Sequence, residues 1–81
     1  MAAIDTVPTR ADAATVIIVD LRRNGIPMEI AHDLLSGYAE ALQGYAREER
    51  GARKVMISAG VLPGSLEGFR KAEASETRAG P

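Results

Sequence analysis

All-α is the fold class this sequence predicts, as a helical hairpin of two long helices plus a short C-terminal helix, completed by dimerisation. Three observations point there. The tetrapeptide Asn24-Gly25-Ile26-Pro27 carries a helix stop followed by a helix start. The segments on either side of it both place apolar residues at helical spacing. The chain has 81 residues and no cysteine, so its core is thin and no disulfide reinforces it.

Residues 1–8 read as an N-terminal arm, because Pro8 disfavours helical backbone at Val7. A helix over 9–24 follows. Thr9 suits the N-cap, and Asp12 places negative charge near the positive end of the helix dipole. Ala11, Ala14, Ile18 and Leu21 recur at spacings of three, four and three, with Val16, Ile17 and Val19 widening the apolar face. Arg22 and Arg23 fall in the last turn, where cations are favoured. Gly25 can take the left-handed conformation that ends a helix, and Pro27 prevents continuation.

The same stretch has a second reading. Thr15 to Val19 is a β-branched run that could be a buried strand, and Lys54 to Ser58 could be another. The chain would then be a βαβ-like α/β unit needing a partner chain to complete its sheet. The intact start and stop signals around 9–25 favour the helix.

The second helix is expected over 27–50, with Pro27 tolerated in its first turn. Ala31, Leu35, Tyr38, Leu42 and Tyr45 form its seam at spacings of four, three, four and three. At ~1.5 Å per residue it would overhang the first helix by roughly 13 Å, leaving Tyr38, Leu42 and Tyr45 to be covered by something else. Gly37, Ala41 and Gly44 share another face, suggesting a groove for a second helix or a bend at Ser36-Gly37. Beyond Gly51 the signal weakens: residues 53–59 form a weak helix or a strand, Leu62-Pro63-Gly64-Ser65 is a turn, and a short helix spans 65–74 around Leu66 and Phe69. Together residues 9–74 make a single helical domain, and the polar segment 75–81 is expected to be a disordered tail.

Composition narrows the function classes. Hydrophobic residues make up 46% of the chain, but 14 of them are alanine. So few bulky side chains favour self-association as a homodimer. The net charge of −1 gives no electrostatic case for nucleic acid. The start of the chain resembles no signal peptide, and the longest apolar run falls far short of the ~20 residues that cross a bilayer. A cytoplasmic protein with no membrane role is expected. Its size and plainness are those of small accessory proteins of phages or mobile elements.

No motif for catalysis, metal or cofactor stands out. Glu29, His32 and Asp33 lie one helical turn apart, yet no second histidine or cysteine exists to complete a usual metal site. His32, Asp33 and Ser36 on one straight helix cannot form a nucleophile–base–orienter relay. Gly60 to Gly64 matches no phosphate loop. The expectation is therefore a non-enzymatic regulator, adaptor or inhibitor that binds another protein through a helix face. Tyr38, Leu42 and Tyr45 are the candidate anchors, with Gly37, Ala41 and Gly44 as the close-approach face. The alternative is a small helix-turn-helix-like DNA-binding regulator, with Ser36-Gly37 as its turn and Tyr38–Arg50 as its recognition helix.

Overall fold

The structure, a computed structural model, describes residues 8–78, and those residues form four helices and no strand: α1 Arg10–Arg23, α2 Met28–Leu42, α3 Ala46–Ser58 and α4 Pro63–Arg78. The fold is all-α, with four helices where the sequence predicted three. α1 packs against both α2 and α4, and α2 packs against α3. The expected arm and the end of the expected tail, residues 1–7 and 79–81, lie outside the described residues.

α1 starts where its cap directs. The Thr9 hydroxyl accepts a hydrogen bond from the Asp12 N–H at 3.1 Å, satisfying a donor that has no partner within the helix. It ends at Asn24 with Gly25 at φ +85. The Gly25 N–H donates to the Arg22 carbonyl at 3.0 Å and the Ile26 N–H to the Leu21 carbonyl at 3.1 Å, the paired bonds of a Schellman stop. The β-branched run 15–19 is therefore helical, and the α/β alternative falls. In helical geometry only Ile17 of that run is buried, while Val16 and Val19 are exposed. The core face is also turned by one residue from the predicted one: Ala13, Ile17 and Leu21 are buried and Ala11 is exposed.

α2 runs unbroken through Ser36-Gly37, so the turn that a helix-turn-helix would need there is missing. Nor is there one helix over 27–50. α2 stops at Leu42, Gln43 and Gly44 turn, and Tyr45 in extended backbone (ψ 156) starts α3. Glycine at 44, a poor residue for a helix interior, suits this corner. The Glu48 side chain folds back over it, into the space a Cβ there would take. The break turns the chain back so that Met56 reaches the core and the Tyr38 hydroxyl donates to Glu49 Oε2 at 2.9 Å. The weak segment 53–59 is the second half of α3 and not a strand.

α3 ends on a second Schellman stop. Gly60 takes φ +106, and the Val61 N–H donates to the Met56 carbonyl at 3.0 Å. Met56 and Val61 are both buried, which gives the apolar contact that accompanies this motif. Gly60 is constrained twice, because a Cβ there would also run into the Asn24 side chain. Asn24 in turn donates to the Asp20 carbonyl at 2.8 Å and to the Gly60 carbonyl at 3.4 Å, tying the α1 and α3 stops together.

α4 begins with Pro63, whose missing N–H costs nothing in a first helical turn. Leu66, Phe69 and Ala72 recur at spacing three and are buried. α4 extends to Arg78, so residues 75–78 are helical where a tail was expected. Contacts with α1 hold this end: Arg10 Nε pairs with Glu73 Oε2 at 2.6 Å, and the Arg10 N–H donates to Glu76 Oε2 at 3.2 Å. Where helices from both halves of the chain meet, Tyr38 and Phe69 pack with ring centroids 6.1 Å apart.

Candidate functional site

The early end of α2 places a sharp corner at residues 43–45, and α4 passes beside it. Between them lies an open groove of about 750 Å³. Ala41, Leu42, Gly44 and Tyr45 line it from the corner, Glu49 from α3, and Arg70, Glu73 and Ala74 from α4. Four of the six residues expected to bind a partner thus share one concave surface.

Those six residues divide into three environments. Tyr45 is 79% exposed at the start of α3, and Ala41 and Leu42 are half-buried in the groove wall. Tyr38 is only 1% exposed, so it is a core residue and presents no side chain to a docking partner. Gly37 is exposed on α2, and Gly44 stands outside the helix, so the two glycines share no helical face.

The polar groups of the groove are held in place. Glu49 accepts from the Tyr38 hydroxyl and pairs with Arg53 at 3.7 Å, one turn along the helix. Burial, followed by the hydrogen bond to Glu49, pushes the Tyr38 hydroxyl well above the usual tyrosine range, so it stays protonated and donates. Arg70 bonds Glu67 at 3.0 Å, which raises the guanidinium and lowers the carboxyl from their ordinary values. Glu73 is buried and engaged by Arg10. What the groove offers is apolar wall, a protruding aromatic ring and an exposed guanidinium. Glu29, His32, Asp33 and Ser36 are exposed along α2.

Two polar contributors escaped the sequence reading. Asp20, on the otherwise apolar face of α1, is 7% exposed; its Oδ2 accepts from the Ser65 hydroxyl at 2.7 Å and from the Leu62 N–H at 3.3 Å. It ties the start of α4 to α1. Glu49 accepts from a buried tyrosine as well as pairing with Arg53 at the i, i+4 spacing. An acceptor whose donor is distant in sequence leaves no local pattern for that bond.

No helix among the described residues is long and apolar enough to cross a membrane. Comparison with protein-family models, with curated proteins and with solved structures finds no match.

Proposed function

We propose that this chain is a small cytoplasmic binding protein, a regulator, adaptor or inhibitor, that docks a protein partner in the groove at the α2–α3 corner. The observation that carries this reading is Tyr45. A large aromatic side chain lies 79% exposed at the lip of a groove whose wall is Leu42 and Ala41. No hydrogen bond or aromatic pair among the described residues uses that ring, and aromatic side chains beside apolar walls dominate the energetics of protein interfaces. The partner presents an apolar side chain to the wall, with an acidic or carbonyl group near Arg70. The chain acts by occupancy, without chemistry of its own.

Self-association belongs to the same reading. The buried set is small, and Val55, Ile30 and Leu62 remain exposed, which supports a protein that covers further surface in its working state.

A photo-crosslinking side chain placed at position 45 tests the docking site. The expected result is a captured protein whose binding survives Tyr45→Phe and weakens roughly 30-fold or more in Tyr45→Asp, in line with loss of an aromatic anchor. Equal binding by Tyr45→Asp would place the docking surface elsewhere.

A further inference from the structure

α2 and α3 each carry a charged face that none of the described residues covers. On α2, Glu29, Asp33 and Glu40 are spaced by four and seven residues and so share one side, away from the buried Ala31 and Tyr38. On α3, Arg47, Arg50 and Lys54 are spaced by three and four residues, away from the buried Met56. All six are exposed, and none forms an ion pair among the described residues. The glutamates that dilute the basic cluster in the sequence do not dilute it in space. Glu49 turns inward to Tyr38, and Glu48 folds back over Gly44.

The two faces also match in height. Counted from Gly44, Glu40 and Arg47 stand four and three residues away, and Asp33 and Lys54 stand eleven and ten. The bond from Tyr38 to Glu49 joins positions six and five residues from Gly44, so equal counts are equal levels along the packed pair. We propose that these faces form the self-association surface of the chain. A second copy seats its acidic α2 on this copy's basic α3, and its basic α3 on this copy's acidic α2, about a two-fold axis running between the helices. The inference rests on the self-association just proposed and adds the surface that performs it.

Two helical glycines agree with this surface. Gly37 and Gly51 each lie seven residues from Gly44, midway along their stripes, and both are exposed. A Cβ at either position would meet nothing within 4 Å, so packing inside one chain does not call for glycine there. Glycine weakens a helix interior, and close approach by a second backbone gives it a use. The ion pairs fix orientation and register, while exposed Ile30 and Val55 beside the stripes add apolar area.

Sedimentation equilibrium on the full chain at about 100 µM tests the surface, because a weak dimer is visible only at high protomer concentration. The expected mass is twice 8.6 kDa at ~20 mM salt, falling toward one chain at ~500 mM as screening increases. Asp33→Lys/Glu40→Lys should be monomeric, and so should Arg47→Glu/Lys54→Glu. Mixed one to one, the two variants should pair with each other, since each restores what the other lost. Gly37→Leu gives a second route: it has room within the monomer and should abolish the dimer with helix content intact. A wild-type dimer that persists in both charge-reversed variants overturns this surface and leaves self-association standing. A wild-type monomer at low salt overturns both. A monomer that retards duplex DNA, and loses this on reversal of Arg47 and Lys54, overturns the proposal in favour of a nucleic-acid face.

Discussion

Replacing Asp20 with alanine should be among the most damaging single changes outside the apolar core. The carboxylate is 7% exposed and accepts two hydrogen bonds from the start of α4, at 2.7 Å from Ser65 and 3.3 Å from Leu62. A hydrogen bond to a charged group contributes about 1.5–3 kcal/mol. The 3.3 Å bond belongs at or below the low end of that range. Removing the carboxylate also removes its desolvation cost, which offsets part of the loss. A net loss of about 2 kcal/mol follows from these terms. A chain of this length has a total stability of roughly 4–12 kcal/mol. The melting temperature should therefore fall by about 8–16 °C. Asp20→Asn, which keeps an acceptor without the charge, should lose about half as much. Urea and thermal unfolding followed by circular dichroism give both numbers. The double variant with Ser65→Ala gives the coupling. A loss below about 0.5 kcal/mol for Asp20→Ala, as for an ordinary surface change, would refute the reasoning. So would a Ser65→Ala effect that is the same with and without Asp20.

Three further outcomes follow from the same structure. Alanine substitutions at glycine should rank by backbone and space in monomeric protein at high salt: Gly37→Ala stabilises by up to ~1 kcal/mol, Gly25→Ala destabilises by about 1–2 kcal/mol, and Gly60→Ala costs more than Gly25→Ala because Asn24 must also move. Thermal melts read that order, and a neutral Gly60→Ala would contradict it. Met56→Ala should cost about 2–4 kcal/mol, since Met56 reaches the core only if the chain breaks at 43–45; a cost under ~0.5 kcal/mol would favour the longer, straighter helix. Stability should also decline as pH rises above about 10, the ordinary tyrosine value. The raised value of folded Tyr38 means that the unfolded chain releases that proton first, so its contribution is complete below the unfolded value and fades as pH climbs toward the folded one. Tyr38→Phe should flatten this decline in alkaline unfolding curves, and an unchanged slope would show that Tyr38 is not its source.

The parts of this fold that were readable in the sequence are those with local causes. Thr9, Asp12, Gly25 and Pro27 act within a turn of where they stand, and α1 begins and ends where they put it. Helical spacing also outweighed β-branching in residues 15–19, where each unfavourable side chain costs only a few tenths of a kcal/mol against a capped helix, about what propensity scales allow. The break at 43–45 was hidden because Gly44 has no local partner signal. Its cause is what α3 gains by turning back, namely the burial of Met56 and the Tyr38–Glu49 bond. Tyr38 and Tyr45 looked equivalent on a heptad seam, and that break separated them into a core ring and a surface ring. The α4 end was underestimated for a similar reason. Residues 75–78 carry no bulky apolar group, yet Glu73 and Glu76 bind Arg10 from the other end of the sequence.

The corner at Gly44 also bears on both of the proposed surfaces. If the helix continued past Leu42, Tyr45 would lie on the same seam as Tyr38 and be drawn toward the same contacts. Turning the chain frees Tyr45 at the lip of the groove and points Glu49 inward. That inward turn leaves Arg47, Arg50 and Lys54 without an acidic neighbour along their outer face. The same turn brings these basic residues to the levels of the acidic residues of α2. The residues that line the groove and those of the charged stripes are separate sets, so the proposed docking through Tyr45 and the proposed pairing through the stripes need not compete. Gly44→Ala, which would push the Glu48 side chain off its place above the turn, should therefore disturb both surfaces at once. Tyr45→Asp should disturb only the groove, and Gly37→Leu only the pairing. That pattern of separate and shared losses would not arise if the two surfaces were one.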